Sequence, residues 1–182
     1  DNAIAALLTP FLRGLFSSFT VRTPLIIYLG NRERCGKDYC AGITGIVMEG
    51  SPLEEPPISV NDKQNNNEEI RKLIMAAFLA GRKRIHSSNN KGHLDSAPFE
   101  RVLTAPRYSD RILGRPDMAD FDNEMDYSLS GNVGITFTSD LKNRSIFINL
   151  FLAMENANDR TFAQSDLHEI VKNNRDKVLS AL

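Results

Sequence analysis

The sequence has no tryptophan, only two cysteines and no surplus of charge of either sign. Without Trp, and with no interleaving of basic and aromatic residues, it offers no base-stacking platform for nucleic acid. Two cysteines cannot build a disulfide framework. The spacings Cys35-x4-Cys40 and His86-x6-His93 are not those of zinc ligands. Lys and Arg number 22 against 23 Asp and Glu, a net charge of −1. That excludes a uniformly basic nucleic-acid binder but leaves room for a local basic face. No apolar run approaches the roughly 18–20 residues of a membrane span. What is present is ordinary: 182 residues, 41% hydrophobic and 25% charged. This composition predicts one globular domain with a real core, residues 1–182. The start, DNAIAALLTPFL, has neither Met nor a basic n-region. It reads as an interior cut from a longer protein, and the chain as a cytoplasmic one that does not touch membranes.

The periodicity predicts alternating elements. Ala3–Phe16 has helical spacing with a break at Pro10, and Leu25–Leu29 is a short apolar run that predicts a buried strand. Asp38–Met48 predicts a helix, Ile58–Val60 a short strand, and Asn61–Asn67 a flexible loop that caps the next helix. Glu68–Ala80 is the cleanest helix, ending at Gly81. Strands are predicted at Arg84–Ser88, Tyr127–Ser130 and Ser145–Leu152, and helical turns or helices at Ser96–Thr104, Thr138–Arg144 and Asp166–Leu182. Strands alternating with helices predict an α/β fold with a mostly parallel central sheet flanked by helices.

The most informative segment is LIIYLG-NRERC-GKD. A buried strand, a Gly-bearing loop and GK at a helix start form the layout of a phosphate cradle. Backbone N–H groups face the anion and Lys37 supplies a point charge. Gly30, Asn31, Arg32, Glu33, Arg34, Cys35, Gly36, Lys37, Asp38 and Tyr39 are the candidate binding residues. Five residues separate Gly30 from Gly36 where the usual pattern has four. Asn31 then takes the first-glycine place, since Asn tolerates left-handed backbone. Asp38 stands where Ser or Thr usually meets Mg²⁺, and a carboxylate can ligate that ion directly. The competing reading is a plain strand–loop–helix turn with Lys37 solvated. Cys35 reads either as a thiolate favoured by the loop dipoles or as loop filler.

Further segments occur in one order: EEIRKLIMAAFLAGRKRI, NNKGHLDSAPFERVLTAPRYSDRILG, LSGNVGITFTSDLKNRSIFINLFL and NDRTFAQSDLHEIVKNNRDKVLSAL. Together they resemble the AAA+, superfamily-3-like P-loop ATPase module of phage and mobile-element replication proteins, often attached to a primase. The closing stretch resembles the family's pattern at Arg160, Phe162, Asp166, Leu167, Val171, Arg175 and Leu179.

The resemblance implies a P-loop fold, ATP and Mg²⁺ as cofactors, and a ring of subunits on single-stranded DNA. It implies that hydrolysis drives unwinding or translocation. It makes Lys37 catalytic, Asn132 a sensor of the γ-phosphate, and Arg144 a finger reaching the next subunit's nucleotide. Asp38 becomes the candidate metal ligand. Strand Arg84–Ser88 takes the place that normally ends in acids, yet Ser87-Ser88-Asn89-Asn90 carry no carboxylate. A catalytically weak, nucleotide-stapled scaffold is therefore the second expectation, and a small phosphotransferase a third. Arg107, Arg111 and Arg115 read as surface pairing, a second trans-acting arginine or a DNA-facing loop. Gly81–Arg84 with Lys91 reads as a small basic cluster or a solvated start of a strand.

Overall fold

The computed structural model describes residues 2–12, 22–58, 63–153, 159–162 and 166–181, with backbone alone for 63–66. In chain order the elements are α1 (Asn2–Leu12), β1 (Leu25–Gly30), α2 (Lys37–Glu49), α3 (Lys63–Leu79), β2 (Arg84–Asn90), β3 (His93–Leu94) and α4 (Ala97–Thr104). Then come β4 (Arg107–Arg111), β5 (Met118–Asp122), β6 (Asp126–Asn132), β7 (Thr136–Phe137), α5 (Ser139–Asn143), β8 (Ser145–Leu150), α6 (Leu167–Asn173) and α7 (Arg175–Ala181).

The chain is α/β, with a central sheet of four parallel strands in the order β2-β6-β1-β8. In β1, Leu25, Ile26, Ile27 and Tyr28 are all buried, which is why this strand reads as a continuous apolar run. Leu25, Ile27 and Leu129 face a core shared with Ile70 and Ile74 of α3 and Phe99 and Val102 of α4. Ile26, Tyr28 and Ile148 face the other way, onto Ala6 of α1 and Ala41 of α2. Helices thus cover both faces. Each fully buried aliphatic side chain contributes about 1.5–3 kcal/mol relative to exposure.

The strand order positions the site. From β1 the chain reaches β2 two places away, fills β6 between them, and then crosses to β8 on the far flank. In open parallel sheets such a reversal leaves a crevice at the carboxyl ends of the strands. Gly30 at the end of β1 pairs there with Asn132 at the end of β6.

Several boundaries differ from the sequence expectation. Helix α3 begins at Lys63, so most of the Asn-rich stretch is helical rather than loop. The C-terminal helix is two short ones, α6 and α7, separated at Asn174. Strands β4 and β5 form an antiparallel hairpin in a stretch for which no element was predicted, and β3 and β7 form a two-residue parallel pair. The predicted helical residues 13–16 and strand residues 59–60 lie outside the described residues.

Candidate functional site

The turn from β1 to α2 is held open from below. A Cβ on Gly30 would overlap the Cys35 sulfur and stand 3.0 Å from the Arg32 carbonyl, so only glycine lets the loop fold back there. Cys35 is buried and acts as filler under the loop. Asn31 does not supply a left-handed residue; that conformation falls on Arg34, at φ 58°, and Gly36, at φ 94°. Asn31 instead ties the loop to the chain leaving β8. Its Nδ2 donates to the Leu152 carbonyl at 3.1 Å, and its Oδ1 accepts from the Leu152 N–H at 2.8 Å.

Gly36 is the N-cap of α2 and has no side chain to accept from the first-turn N–H groups. Those donors and the positive end of the helix dipole face outward. Lys37 is next and is only 5% exposed, which removes the solvated-lysine reading. Its Nζ lies 3.2 Å from Asp38 Oδ2. A cleft of about 420 Å³ opens above, lined by Glu33, Arg34, Gly36, Lys37, Asp38, Tyr39, Asn89, Lys91 and Asn132. Six of the predicted loop residues and Asn132 therefore converge. Gly30, Asn31 and Cys35 support the loop from outside the cleft, and Arg32 is not part of its lining.

Asn132 Oδ1 is shielded from solvent and has no partner among the described residues. A buried amide oxygen without a donor costs about 1–3 kcal/mol and marks a place for one. His86 on β2 is fully buried beneath Asp38. Its Nδ1 meets Ser128 Oγ at 2.9 Å, and its Nε2 lies 3.7 Å from Asp38 Oδ1, beyond hydrogen-bond reach. Burial pushes the His86 pKa down despite the nearby carboxylate, so the imidazole is neutral at pH 7.

The last residues of β2 are the main correction. Ser87 and Asn90 serve structure: both side chains accept from the Ile58 N–H, at 3.1 and 2.8 Å. The ladder shifts register between Ser87 and Asn90, and Asn89 is left-handed at φ 56°. This bulge turns Asn89 and Lys91 toward the cleft. The small basic cluster, one of the two readings of Gly81–Arg84 with Lys91, does not form. Arg82 pairs with Glu49 and Glu55, Lys83 with Glu124, and Arg84 is 2% exposed beneath α2. Lys91 alone of that group reaches the site, a placement the sequence pattern did not show.

Arg144 caps α5 and pairs with Asp140 at 2.8 Å. Its carbonyl accepts from Leu25 N–H, so it sits at the start of β1, the opposite end from Gly30. One six-residue strand, on the order of 20 Å, separates it from its own chain's cleft. Within one chain, Arg144 and the cleft are not brought together.

The C-terminal segment clasps the loop helix. Arg160 donates to the carbonyls of Arg34 and Cys35, with its guanidinium 5.3 Å above the Phe162 ring centroid. Asp166 caps α6 and accepts from the Tyr39 hydroxyl at 2.8 Å. A Cβ on Gly42 would stand 2.7 Å from the His168 ring, so that glycine lets α6 approach. Arg160, Phe162, Asp166 and Arg175, which carry part of the resemblance, all lie in this clasp.

The Mg²⁺ that the resemblance implies does not fit the donors present. Asp38 Oδ1 accepts from the Ser130 hydroxyl, and Oδ2 faces the Lys37 ammonium at 3.2 Å. Burial raises the Asp38 pKa, but the His86, Ser130 and Lys37 contacts outweigh it and hold the carboxyl at about 2. The carboxylate is ionised and already engaged on both oxygens. Asp38 is therefore the partner of Lys37 rather than a metal ligand. The imagined site of His86, His93, Cys35 and Cys40 does not assemble either; His93 Nδ1 meets Thr136 Oγ1 at 2.8 Å.

No protein-family model matches this chain, and no curated protein is significantly similar to it. Among the described residues no helix is long and apolar enough to cross a membrane.

Proposed function

We propose that this chain is a P-loop, AAA+-like nucleotide-binding domain, the ATPase module of a helicase-like replication protein from a phage or mobile element. One observation carries the reading. A glycine-capped helix start, a buried lysine and Asn132 converge on one cleft at the carboxyl end of a central parallel strand. ATP is the ligand of this reading. Its phosphates lie over the first turn of α2 and against Lys37. Asn132 donates from its amide nitrogen to the terminal phosphate, and its Oδ1, unpartnered among the described residues, accepts from the attacking water. Arg144, remote from its own cleft, serves the cleft of a neighbouring subunit in a ring. Strand ends β2, β6 and β1 bear the residues that the resemblance assigns, in adjacent positions of one sheet, which supports the P-loop reading of the fold.

The exposed hairpin supports a DNA partner. Its turn carries Arg111 and Arg115 beside Leu113, which is 73% exposed. Arg107 is spent within the hairpin on Asp120 and Asp122. Single-stranded DNA in the ring and a primase elsewhere in the parent protein complete the proposal.

A second reading has its own support. Among the described residues, the carboxylates lining the cleft are Asp38, which is engaged, and Glu33. No carboxylate stands at the end of β2 to activate water. This favours a catalytically weak scaffold that uses nucleotide as a staple for oligomerisation. ATP turnover at high protein concentration, with and without single-stranded DNA, separates the two. DNA-stimulated turnover supports the motor. Retained ATP binding without turnover supports the scaffold.

A further inference from the structure

We propose that the cleft holds its polyphosphate with two lysines of this chain, Lys37 and Lys91, and without a divalent ion bound by the protein. The inference rests on the nucleotide reading above and deepens it. Lys37 enters from the start of α2 and Lys91 from the bulge after β2, so they face one cleft from two sides. A chain of contacts joins those two elements. The Asn89 N–H donates to Ser130 Oγ at 3.2 Å, the Ser130 hydroxyl donates to Asp38, and Asp38 lies 3.2 Å from Lys37 Nζ. The ends of β2 and α2 are thereby fixed relative to each other.

In this arrangement Asp38 aims the Lys37 ammonium. The carboxylate that could have held a metal is turned to that use. A triphosphate needs its charge offset in some other way. The cleft supplies Arg34, Lys37 and Lys91 against Glu33 and Asp38. An ammonium is a compact point charge that needs no fixed coordination geometry, so two of them can bridge phosphate oxygens that an ion would otherwise join. Lys91 is exposed and lies outside the buried core, so truncating its side chain leaves the packing of β2 in place.

The test is calorimetric titration of the chain with ATP, once in excess EDTA and once in Mg²⁺. The affinities are expected to agree within about threefold. Lys91→Ala weakens binding in EDTA by about tenfold, and Lys91→Arg restores most of it. Asp38→Asn leaves the Mg²⁺ response unchanged. Lys142→Ala, on α5 at the far end of β8, behaves as the parent. Binding that requires Mg²⁺, or a Lys91→Ala variant that binds as the parent does, overturns this inference alone. No binding in either buffer overturns the nucleotide reading, and this inference with it.

Discussion

Tyr39 and His168 stack face to face, with ring centroids 3.8 Å apart and planes 7° from parallel. Tyr39 lies on the first turn of α2 and lines the cleft; His168 lies on the first turn of α6. The His168 N–H donates to the Tyr39 hydroxyl at 3.0 Å, and the His168 ring nitrogen Nε2 meets the Tyr39 carbonyl at 2.6 Å. The C-terminal helices are therefore bolted to the turn that carries Lys37. His168→Ala is expected to cost about 1–2 kcal/mol of stability, the sum of a ring stack and a hydrogen bond. Urea denaturation measures it; an unchanged midpoint contradicts the bolt.

Arg175 closes the other end of α2. Its Nε donates to the Ile46 and Val47 carbonyls at 3.0 and 2.9 Å, and Nη2 to Met48 at 3.2 Å. These are carbonyls of the last turn, where the helix dipole favours a cation. Arg175→Ala is expected to cost about 1–3 kcal/mol. Arg175→Lys recovers only part, because one ammonium cannot span three carbonyls. Thermal unfolding of the three proteins should rank them in that order.

Gly30→Ala is expected to spoil the loop, because the added methyl collides with the Cys35 sulfur. Cys35→Ala removes that atom, so the double variant should recover part of the stability lost by the single one. A double-mutant cycle by denaturation reads a coupling of about 0.5–3 kcal/mol. Purely additive costs contradict the contact.

Acid should lower the stability of the protein in two pH windows. His86 has a folded pKa below its ordinary 6.5, so the unfolded state takes up a proton first. Its contribution is present above about pH 6.5 and fades as the pH falls below that. Asp38 has a folded pKa of about 2 against an ordinary 3.8. Its contribution is full above the ordinary value and is lost as the pH falls toward 2. Asp110, held at about 2 chiefly by its hydrogen bonds from Arg71, adds to the same lower window. Urea midpoints from pH 8 to pH 2 should show both limbs. His86→Gln should flatten the upper limb and leave the lower one.

The strand, loop and helix from Leu25 to Glu49 were legible because a fully buried parallel strand writes its burial as an unbroken apolar run. The hairpin was not. In RYSDR the buried alternate positions are Tyr108 and Asp110, and a buried aspartate erases the apolar period. Asp110 is admitted to the interior by Arg71, which bonds it from α3 across 39 residues, with the Tyr108 hydroxyl and the Arg111 N–H also donating to it. The place of Lys91 in the cleft was missed for another reason. A register shift at Asn89 redirects the residues after it, and a bulge leaves no trace in periodicity. Asp38 was found in the right place without its contacts, because spacing reports neither Ser130 nor the direction of Lys37.

The central claim is that the cleft above Lys37 takes a triphosphate. Calorimetric titration of ATP into the chain and into Lys37→Ala tests it most directly. The account predicts saturable binding at one site, weakened about tenfold or more in a variant that still unfolds cooperatively in urea. Equal ATP affinity in the two proteins would contradict it.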